Sequence, residues 1–265
     1  MRIDNAQDAK KNQEYCNALV DFLYQLADDE FILGHRISEW LGVAPDIEED
    51  IAFSSLSQDE IGHATLYYNF LSELGEGRPD DLAFGRDSSK FRNARFLERP
   101  NGDWAHAIAR GYLYDTYEAI LVDILTHSNY VPLALGVAKV QREERYHFLH
   151  MDTWFERLAI AGGEAKGRLE KAIAEIWPDL FDLFSNGSYE STLHSTGIVP
   201  LTGGELYAKW EETVKGTFTE LGLAWPGSPF KSGAQGGRKG EHSNDLVELL
   251  AVASEVYQTN PAANW

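Results

Sequence analysis

The six residues REERYH (142–147) place Glu144 and His147 three positions apart within an otherwise apolar helical stripe. Residues at i and i+3 share one face of an α-helix, so both polar side chains point the same way as the apolar ones. The stripe recurs at alternating steps of three and four, at Leu133, Val137, Val140, Met151, Trp154 and Leu158. The stretch therefore predicts a helix that carries a carboxylate and an imidazole into the protein core.

A second Glu-x-x-His pair lies in QDEIGH (58–63), where Glu60 and His63 interrupt the apolar stripe of another predicted helix. Two further predicted helices each place one glutamate, Glu30 or Glu118, at a core position. Taken alone, either glutamate would more often be an exposed helix charge or an ion-pair partner. Four glutamates and two histidines in this helix order favour a shared site.

A shared site of this kind needs positive charge, because burying an unpaired carboxylate costs several kcal/mol. Two divalent metal ions supply that charge, and one Glu from two helices plus Glu-x-x-His from two others is typical of ferritin-like di-metal proteins. The predicted ligands are Glu30, Glu60, His63, Glu118, Glu144 and His147. Oxygen-rich ligation with one histidine per metal favours two iron ions, with manganese as the alternative. Of these ligands, Glu60 and Glu144 are the predicted catalytic residues.

The spacing predicts an all-α chain, a ferritin-like four-helix bundle with additional C-terminal helices in a single domain spanning 1–265. The bundle helices are expected at about 12–40, 46–74, 101–128 and 132–161, and the C-terminal helical extension at 163–265. Asn101 is the predicted N-cap of the third helix, and Pro132 suits the first turn of the fourth. The turn-rich stretch 76–100 predicts a long crossover connection.

Composition excludes several classes of partner. The 265 residues include 42 acidic and 23 basic side chains, a formal net charge of −19, which argues against binding to nucleic acid or an anionic membrane. Cys16 is the only cysteine, which excludes an intramolecular disulfide or a thiolate cluster. Neither a signal-peptide stretch nor an 18-residue uncharged apolar run is present. These features predict a soluble cytoplasmic protein.

Residues beside the predicted ligands are candidates for supporting roles. Asp59 and Glu143 each precede a Glu-x-x-His glutamate and are placed to accept the second ring N–H of a histidine on the partner helix, or else are solvated charges. Tyr67 and Tyr114 border the site or are core aromatics. The basic segment 236–240 is either a surface for a CoA phosphate or an acidic partner, or a mobile loop. The histidines predicted to bind no metal are His35, His106, His127, His150, His194 and His242.

Four segments resemble the phenylacetyl-CoA epoxidase family of bacterial phenylacetate catabolism: SEWLGVAPDIEED (38–50), RPNGDWAHAIAR (99–110), REERYH (142–147) and GGRKGEH (236–242). The likeness covers nearly the whole chain and is closest to the C subunit. The resemblance implies a complex in which a di-iron A subunit epoxidises the aromatic ring of phenylacetyl-CoA with dioxygen and reductant. It also implies that the C subunit is a non-catalytic partner that supports the A subunit.

One departure from the family pattern bears on function. Well-known C subunits have lost most metal ligands, whereas this chain keeps all six, and its QDEIGH (58–63) resembles the A subunit's pattern. We therefore expect a di-iron oxygenase component acting on an aromatic acyl-CoA or related substrate, in a homo- or hetero-oligomer with an A-type subunit. No dinucleotide fingerprint is present, so electrons are expected from a separate reductase.

Two other classes of function compete with this expectation. The first is a structural C-type subunit that stabilises a catalytic A-type subunit. The second is iron storage, which is less favoured because the long helical extension at 163–265 has no obvious place in a simple ferritin shell.

Overall fold

The computed structural model describes residues 2–230 and 235–263, and within these ranges the chain forms helices and no β-sheet. The α-helices are α1 (Ala6–Ala9), α2 (Gln13–Ser38), α3 (Ile47–Leu74), α4 (Pro79–Phe84), α5 (Trp104–Leu125), α6 (Val131–Ala161), α7 (Gly163–Ile176), α8 (Glu190–Thr196), α9 (Gly203–Glu220), α10 (Asn244–Ala253) and α11 (Glu255–Thr259). Short 3₁₀ turns occur at Ser88–Lys90, Arg95–Glu98, Trp177–Asp182, Gly187–Tyr189 and Gly237–Lys239. An isolated bridge pairs Ile3 with Tyr130.

The long helices α2, α3, α5 and α6 form the bundle, which confirms the all-α prediction. Helix α2 packs along α3, α5 packs along α6, and α3 also contacts α6. Local chemistry fixes the ends: Asn12 and Asp46 accept hydrogen bonds from the first-turn N–H groups of α2 and α3. Gly75, at φ 96°, ends α3 in the left-handed conformation that suits glycine. No helix in the described part of the chain is long and apolar enough to cross a membrane.

The start of α5 differs from the prediction. Asp103, not Asn101, is the N-cap, and its side chain accepts a hydrogen bond from the backbone N–H of His106. Asn101 is engaged elsewhere: its Nδ2 donates to the carbonyl of Arg36 at 2.6 Å, and its Oδ1 accepts from Arg110. The prediction of Asn101 as N-cap is therefore wrong, because its side-chain amide forms hydrogen bonds with α2 and with a buried arginine instead.

Two glycines allow the helices to approach closely around the middle of the bundle. A Cβ at Gly34 on α2 would lie 3.0 Å from the Cβ of Glu60 on α3. A Cβ at Gly111 on α5 would lie 2.7 Å from the Sδ of Met151 on α6. Both distances are shorter than an ordinary contact, so a larger residue at Gly34 would push α2 away from α3, and one at Gly111 would force the Met151 side chain to move.

The C-terminal helices cover the bundle. Helix α7 packs on α5 and α6, and α9 packs on α5, where Trp210 Nε1 donates to the carbonyl of Leu113 at 3.0 Å. Helix α7 ends at Ile176, and a 3₁₀ turn that contains Pro178 follows. The predicted C-terminal helical extension thus consists of α7 to α11, with α10 and α11 separated at Ser254.

The crossover 76–100 contains α4 and two 3₁₀ turns, and a buried carboxylate on α2 fastens it to the bundle. Asp28 pairs with Arg86 of the crossover. The same carboxylate accepts hydrogen bonds from Tyr68 Oη at 2.7 Å and from the backbone N–H of Arg92 at 2.8 Å. The connection is therefore an ordered layer on α2 rather than a free loop.

The segment 236–240 is not an exposed basic patch. Arg238 is only 3% exposed, and its Nη2 donates to Asp29 Oδ2 on α2 at 2.6 Å. Its Nη1 donates to the carbonyl of Arg92 at 2.9 Å. The interpretation of this segment as a surface for a CoA phosphate or an acidic partner, or as a mobile loop, is wrong for Arg238, because an interior carboxylate draws the guanidinium inside.

Candidate metal centre

All six predicted ligands lie in the bundle interior. Each is at most 3% exposed: Glu30, Glu60, His63, Glu118, Glu144 and His147. Glu30 comes from α2, Glu118 from α5, and the two Glu-x-x-His pairs from α3 and α6. Four of them offer one ligand atom each within 4.8 Å of one another: Glu30, Glu60, His63 and Glu144. The bundle thus brings side chains more than a hundred residues apart in sequence into one cluster.

Glu144 lies between the two imidazoles. Its Oε1 is 3.1 Å from the Nδ1 of His63 and 3.1 Å from the Nδ1 of His147. Glu60 is close to the same groups, with Oε1 3.4 Å from His147 Nδ1 and Oε2 3.9 Å from His63 Nδ1. Both histidines therefore present the same ring nitrogen, Nδ1, to the carboxylates.

The other ring nitrogen of each histidine points outward to a carboxylate on the facing helix. His63 Nε2 lies 2.9 Å from Glu143 Oε2, and His147 Nε2 lies 3.3 Å from Asp59 Oδ2. These are the contacts expected from the positions of Asp59 and Glu143. An Nε2–H donated to a carboxylate fixes the tautomer, leaving the Nδ1 lone pair free for a metal ion.

The protein's own charges perturb the acids of the cluster strongly. Burial, together with the charge of neighbouring glutamates, raises the pKa of Glu30 and of Glu118 well above the usual range. Burial opposes ionisation of Glu144 too, but His147 and His63 lower its pKa to about 2. For His147, burial disfavours the proton, yet Glu144 and Glu60 raise the pKa. Two imidazoles are too few cationic groups for four carboxylates, so the cluster favours an added cation.

The chemistry of the unpaired atoms fits metal ions. Within the described residues, the buried atoms that lack a hydrogen-bond partner include Glu30 Oε2, Glu60 Oε2, His63 Nδ1, Glu118 Oε2, both Glu144 oxygens and His147 Nδ1. Buried polar atoms without partners are rare in folded proteins, and here every predicted ligand contributes at least one. Carboxylate oxygens and imidazole nitrogens are ligands that iron and manganese accept.

Sequence reasoning missed Asp115, one turn before Glu118 on α5. It is 3% exposed, and its Oδ2 has no hydrogen-bond partner among the described residues. Burial and the charge of Glu144 raise its pKa well above the usual range. The i, i+3 spacing to Glu118 is the signal that would have identified it, because that spacing keeps both carboxylates on one face. Asp115 is a further carboxylate that could hold metal at this centre.

The predicted aromatic neighbours are in place, and the other histidines are not part of the cluster. Tyr67 and Tyr114 are buried, and burial together with the glutamate charges raises their pKa well above the usual range. Tyr67 Oη has no hydrogen-bond partner in the described part of the chain. The ligand group found in the described residues includes none of the histidines His35, His106, His127, His150, His194 and His242.

A small cavity adjoins Glu60 and His147 between the four bundle helices. Its walls are mainly apolar, with Leu33, Phe53, Leu56 and Met151 among the lining side chains. The free space of about 10 Å³ is roughly what one water-sized molecule needs. Only a very small molecule can therefore reach this side of the cluster without displacement of side chains.

Comparison with known proteins places this arrangement in a family. The family model described as "Phenylacetic acid catabolic protein" matches residues 2–265. The chain belongs to that family. Its all-α bundle is accordingly ferritin-like, as predicted. The family resemblance drawn from the four sequence segments is confirmed.

Two relatives from Escherichia coli strain K12 are similar to this family member. The chain is 33% identical over 252 residues to the C subunit of 1,2-phenylacetyl-CoA epoxidase, covering 94% of this chain and 100% of the relative. It is 27% identical over 166 residues to the A subunit of the same epoxidase, covering 62% of this chain and 52% of the relative. The longer match and higher identity with the C subunit make this chain a C-like member of the family.

Proposed function

We propose that this protein is a cytoplasmic di-iron oxygenase component of a phenylacetyl-CoA epoxidase-like multicomponent monooxygenase. In this function it oxidises an aromatic acyl-CoA or a related substrate, with electrons from a separate reductase and in an oligomer that includes an A-type subunit. Glu30, Glu60, His63, Glu118, Glu144 and His147 hold the two metal ions. Bound iron supplies the activation of dioxygen.

The observation that carries the proposal is the convergence of buried, unpaired ligand atoms from all four bundle helices. A purely scaffolding protein gains nothing from four interior glutamates, and their burial is costly without a cation. The chain's own residues orient the site: Glu143 and Asp59 fix the two imidazoles, and the apolar walls at Leu33 and Phe53 exclude bulk water. These are the features of a preorganised centre.

A structural C-type subunit is the second candidate, and the similarity to the C subunit of the epoxidase favours it, because that match covers 94% of this chain. In that case metal at the cluster would stabilise the fold and, through it, a catalytic A-type partner. The two candidates agree on metal binding and differ on whether the metal reacts.

The deciding experiment combines the iron-loaded protein, its reductase, an A-type partner, NAD(P)H, dioxygen and phenylacetyl-CoA, and measures oxygenated product. We expect Glu144→Ala to abolish the turnover that this chain contributes, because Glu144 contacts both imidazoles. Glu156→Ala, at an exposed position on the same helix, is the matched control and keeps wild-type turnover. Equal turnover with wild type and Glu144→Ala would establish the structural candidate.

A further inference from the structure

The outward face of α3 is free of charged residues over most of its length. We propose that this face is the contact surface of a homodimer, in which α3 packs antiparallel against α3 of a second copy of this chain. The exposed residues that form it, the α3 stripe, recur at steps of three and four: Ile51, Ser55, Gln58, Gly62, Thr65 and Asn69.

Another long helix shows what an exposed face of this protein ordinarily carries. The exposed residues of α9 include Glu205, Lys209, Glu212, Lys215 and Glu220. Charged side chains are typical of the solvent face of a helix, whereas the centre of a protein–protein interface is depleted of them. The α3 stripe therefore has the composition of an interface rather than of a solvated surface.

Contacts within the chain do not account for this composition. Gly62 is exposed in the middle of α3, and a Cβ there would meet nothing within 4 Å. Glycine destabilises a helix interior relative to alanine, and it is favoured where another chain segment approaches closely. The hydrogen bonds of Gln58 and Thr65 stay within α3, to Ser54 at 3.4 Å and to the carbonyl of Ile61 at 2.8 Å.

Exposed apolar side chains extend the α3 stripe at its start and onto α6. Ile47 is 71% exposed, and on α6 Tyr146 is 72% and Leu149 58% exposed. Because His147 contacts Asp59, both α6 side chains lie level with the middle of the stripe. The combined face is two helices wide and about 33 Å long, which is comparable with the roughly 800 Å² that each partner buries in a stable interface.

The α3 stripe is complementary to itself, which favours a second copy as its occupant. In a twofold dimer the same surface of both chains meets, so residues on one side of the axis face those on the other side. An axis beside Gln58 places Ser55 of one copy opposite Gly62 of the other, and Ile51 opposite Thr65. Small side chains then meet at the centre, where the two helices approach most closely.

The charges beside the stripe are complementary under the same axis. Glu48 is exposed at the start of α3, whereas Lys139 of α6 is exposed near the end of α3. That position follows from the antiparallel packing of the two helices, since a Cβ at Gly136 would lie 3.0 Å from Phe70 Cζ. The axis brings Glu48 of each copy level with Lys139 of the other, so opposite charges meet at both ends of the interface.

Sedimentation equilibrium of the full chain without added iron measures the assembly. We expect twice the chain mass of 29.7 kDa. Ser55→Arg should raise the Kd of the dimer about 100-fold or more, because a twofold interface receives the added charge twice. Thr213→Arg, at an exposed position of α9, should change it less than about twofold. A wild type that stays monomeric throughout the micromolar range, or equal effects of the two variants, would overturn the proposal.

A matched pair of glycine variants tests close approach without altering charge. Gly62→Leu is expected to prevent dimerisation, whereas Gly216→Leu on α9, where a Cβ likewise meets nothing within 4 Å, should leave the dimer intact. Circular dichroism establishes that both variants keep the helix content of the wild type. A dimer that survives Gly62→Leu would show that the contact lies elsewhere.

Cross-linking tests the position of the axis. Gln58→Cys places one thiol of each copy beside the axis, so a short bismaleimide should join the two chains, whereas Thr213→Cys should give no joined chains. The natural Cys16 is buried. Joined chains from Thr213→Cys and none from Gln58→Cys would contradict this arrangement. A chain that is monomeric alone and pairs only with an A-type subunit would exclude the second copy as occupant. Because none of these measurements uses iron, such failures leave the metal proposal intact.

Discussion

Three consecutive acidic residues on α2 have different surroundings. Asp28 and Asp29 are buried and satisfied, because Arg86 pairs with the first and Arg238 with the second. Backbone N–H groups of Arg92 and Ala94 complete their hydrogen bonds, at 2.8 and 2.7 Å. Glu30 is equally buried, yet its Oε2 has no partner in the described residues.

The difference separates two uses of a buried carboxylate. An acid whose oxygens accept hydrogen bonds from arginines and backbone N–H groups links one chain segment to another, and its charge is balanced within the protein. Glu30 has the His63 imidazole 3.6 Å from its Oε2, but burial and the charges of Glu118 and Glu60 still raise its pKa, so an added cation or a proton stabilises it. Burial alone therefore does not mark a candidate metal ligand, whereas several buried carboxylates and imidazoles without hydrogen-bond partners in one cluster do.

The largest expected effect concerns the ion pair by which Asp29 on α2 holds Arg238 of the segment 236–240. We expect Arg238→Ala to lower the free energy of unfolding by about 3–5 kcal/mol, because it leaves Asp29 buried and unpaired. The loss should be the same with and without iron in denaturant unfolding. Lys239→Ala, at the exposed neighbouring position, is the control and stays within about 0.5 kcal/mol. A loss confined to the iron-loaded protein would contradict the comparison.

Iron should stabilise the protein through the cluster that contains Glu30 and not through the ion pairs of Asp28 and Asp29. At an iron concentration 100 times the Kd, we expect the free energy of unfolding to rise by about 2.7 kcal/mol. Glu60→Ala and His147→Ala should each abolish this increment, because each removes a predicted ligand. Thermal unfolding with and without iron measures it, and equal midpoints for both forms of the wild type would contradict a metal site coupled to folding.

Neutralising Glu143 or Asp59, which face the Nε2 atoms of the two histidines, should have a smaller effect than removing one of the predicted ligands. We expect Glu143→Gln to weaken iron binding by about 10- to 100-fold, because the charged carboxylate that lies 2.9 Å from His63 Nε2 is replaced by a neutral and weaker acceptor. Asp59→Asn should act in the same direction through His147, over the longer contact of 3.3 Å. Metal competition titrations give the affinities. Glu156→Gln, at an exposed position on α6, provides the baseline, and an equal loss in that variant would argue against an orienting role.

The smallest expected effect is at Glu30, where neutralising the acid should change the free energy of unfolding in the opposite direction from the same change at nearby Asp28. In iron-free protein, Glu30→Gln should raise the free energy of unfolding by about 1 kcal/mol, because it removes a carboxylate repelled by Glu60 and Glu118. Asp28→Asn should lower it, because Arg86 then lacks its partner. Urea unfolding of the two variants beside the wild type measures both changes. Destabilisation by both substitutions would show that Glu30 is held like Asp28.

Much of the fold was predictable because helical periodicity and capping are local. The four bundle helices lie close to their predicted ranges, and α3, at Ile47–Leu74, nearly coincides with the predicted 46–74. The start of α5 was predicted wrongly because Asn101 is a good N-cap by type, and only its contacts with Arg36 and Arg110 withdraw it from that role. Those contacts join residues distant in sequence, which a local pattern does not contain.

The sequence by itself determined which side chains share a helix face, including the two Glu-x-x-His pairs, because a repeat of 3.6 residues per turn fixes that relation within each helix. Tertiary structure alone decided that Glu144 lies 3.1 Å from both imidazoles and that Arg238 is an interior partner of Asp29. Distances between helices depend on how their faces pack, and at Gly34 and Gly111 on the room left by a missing side chain.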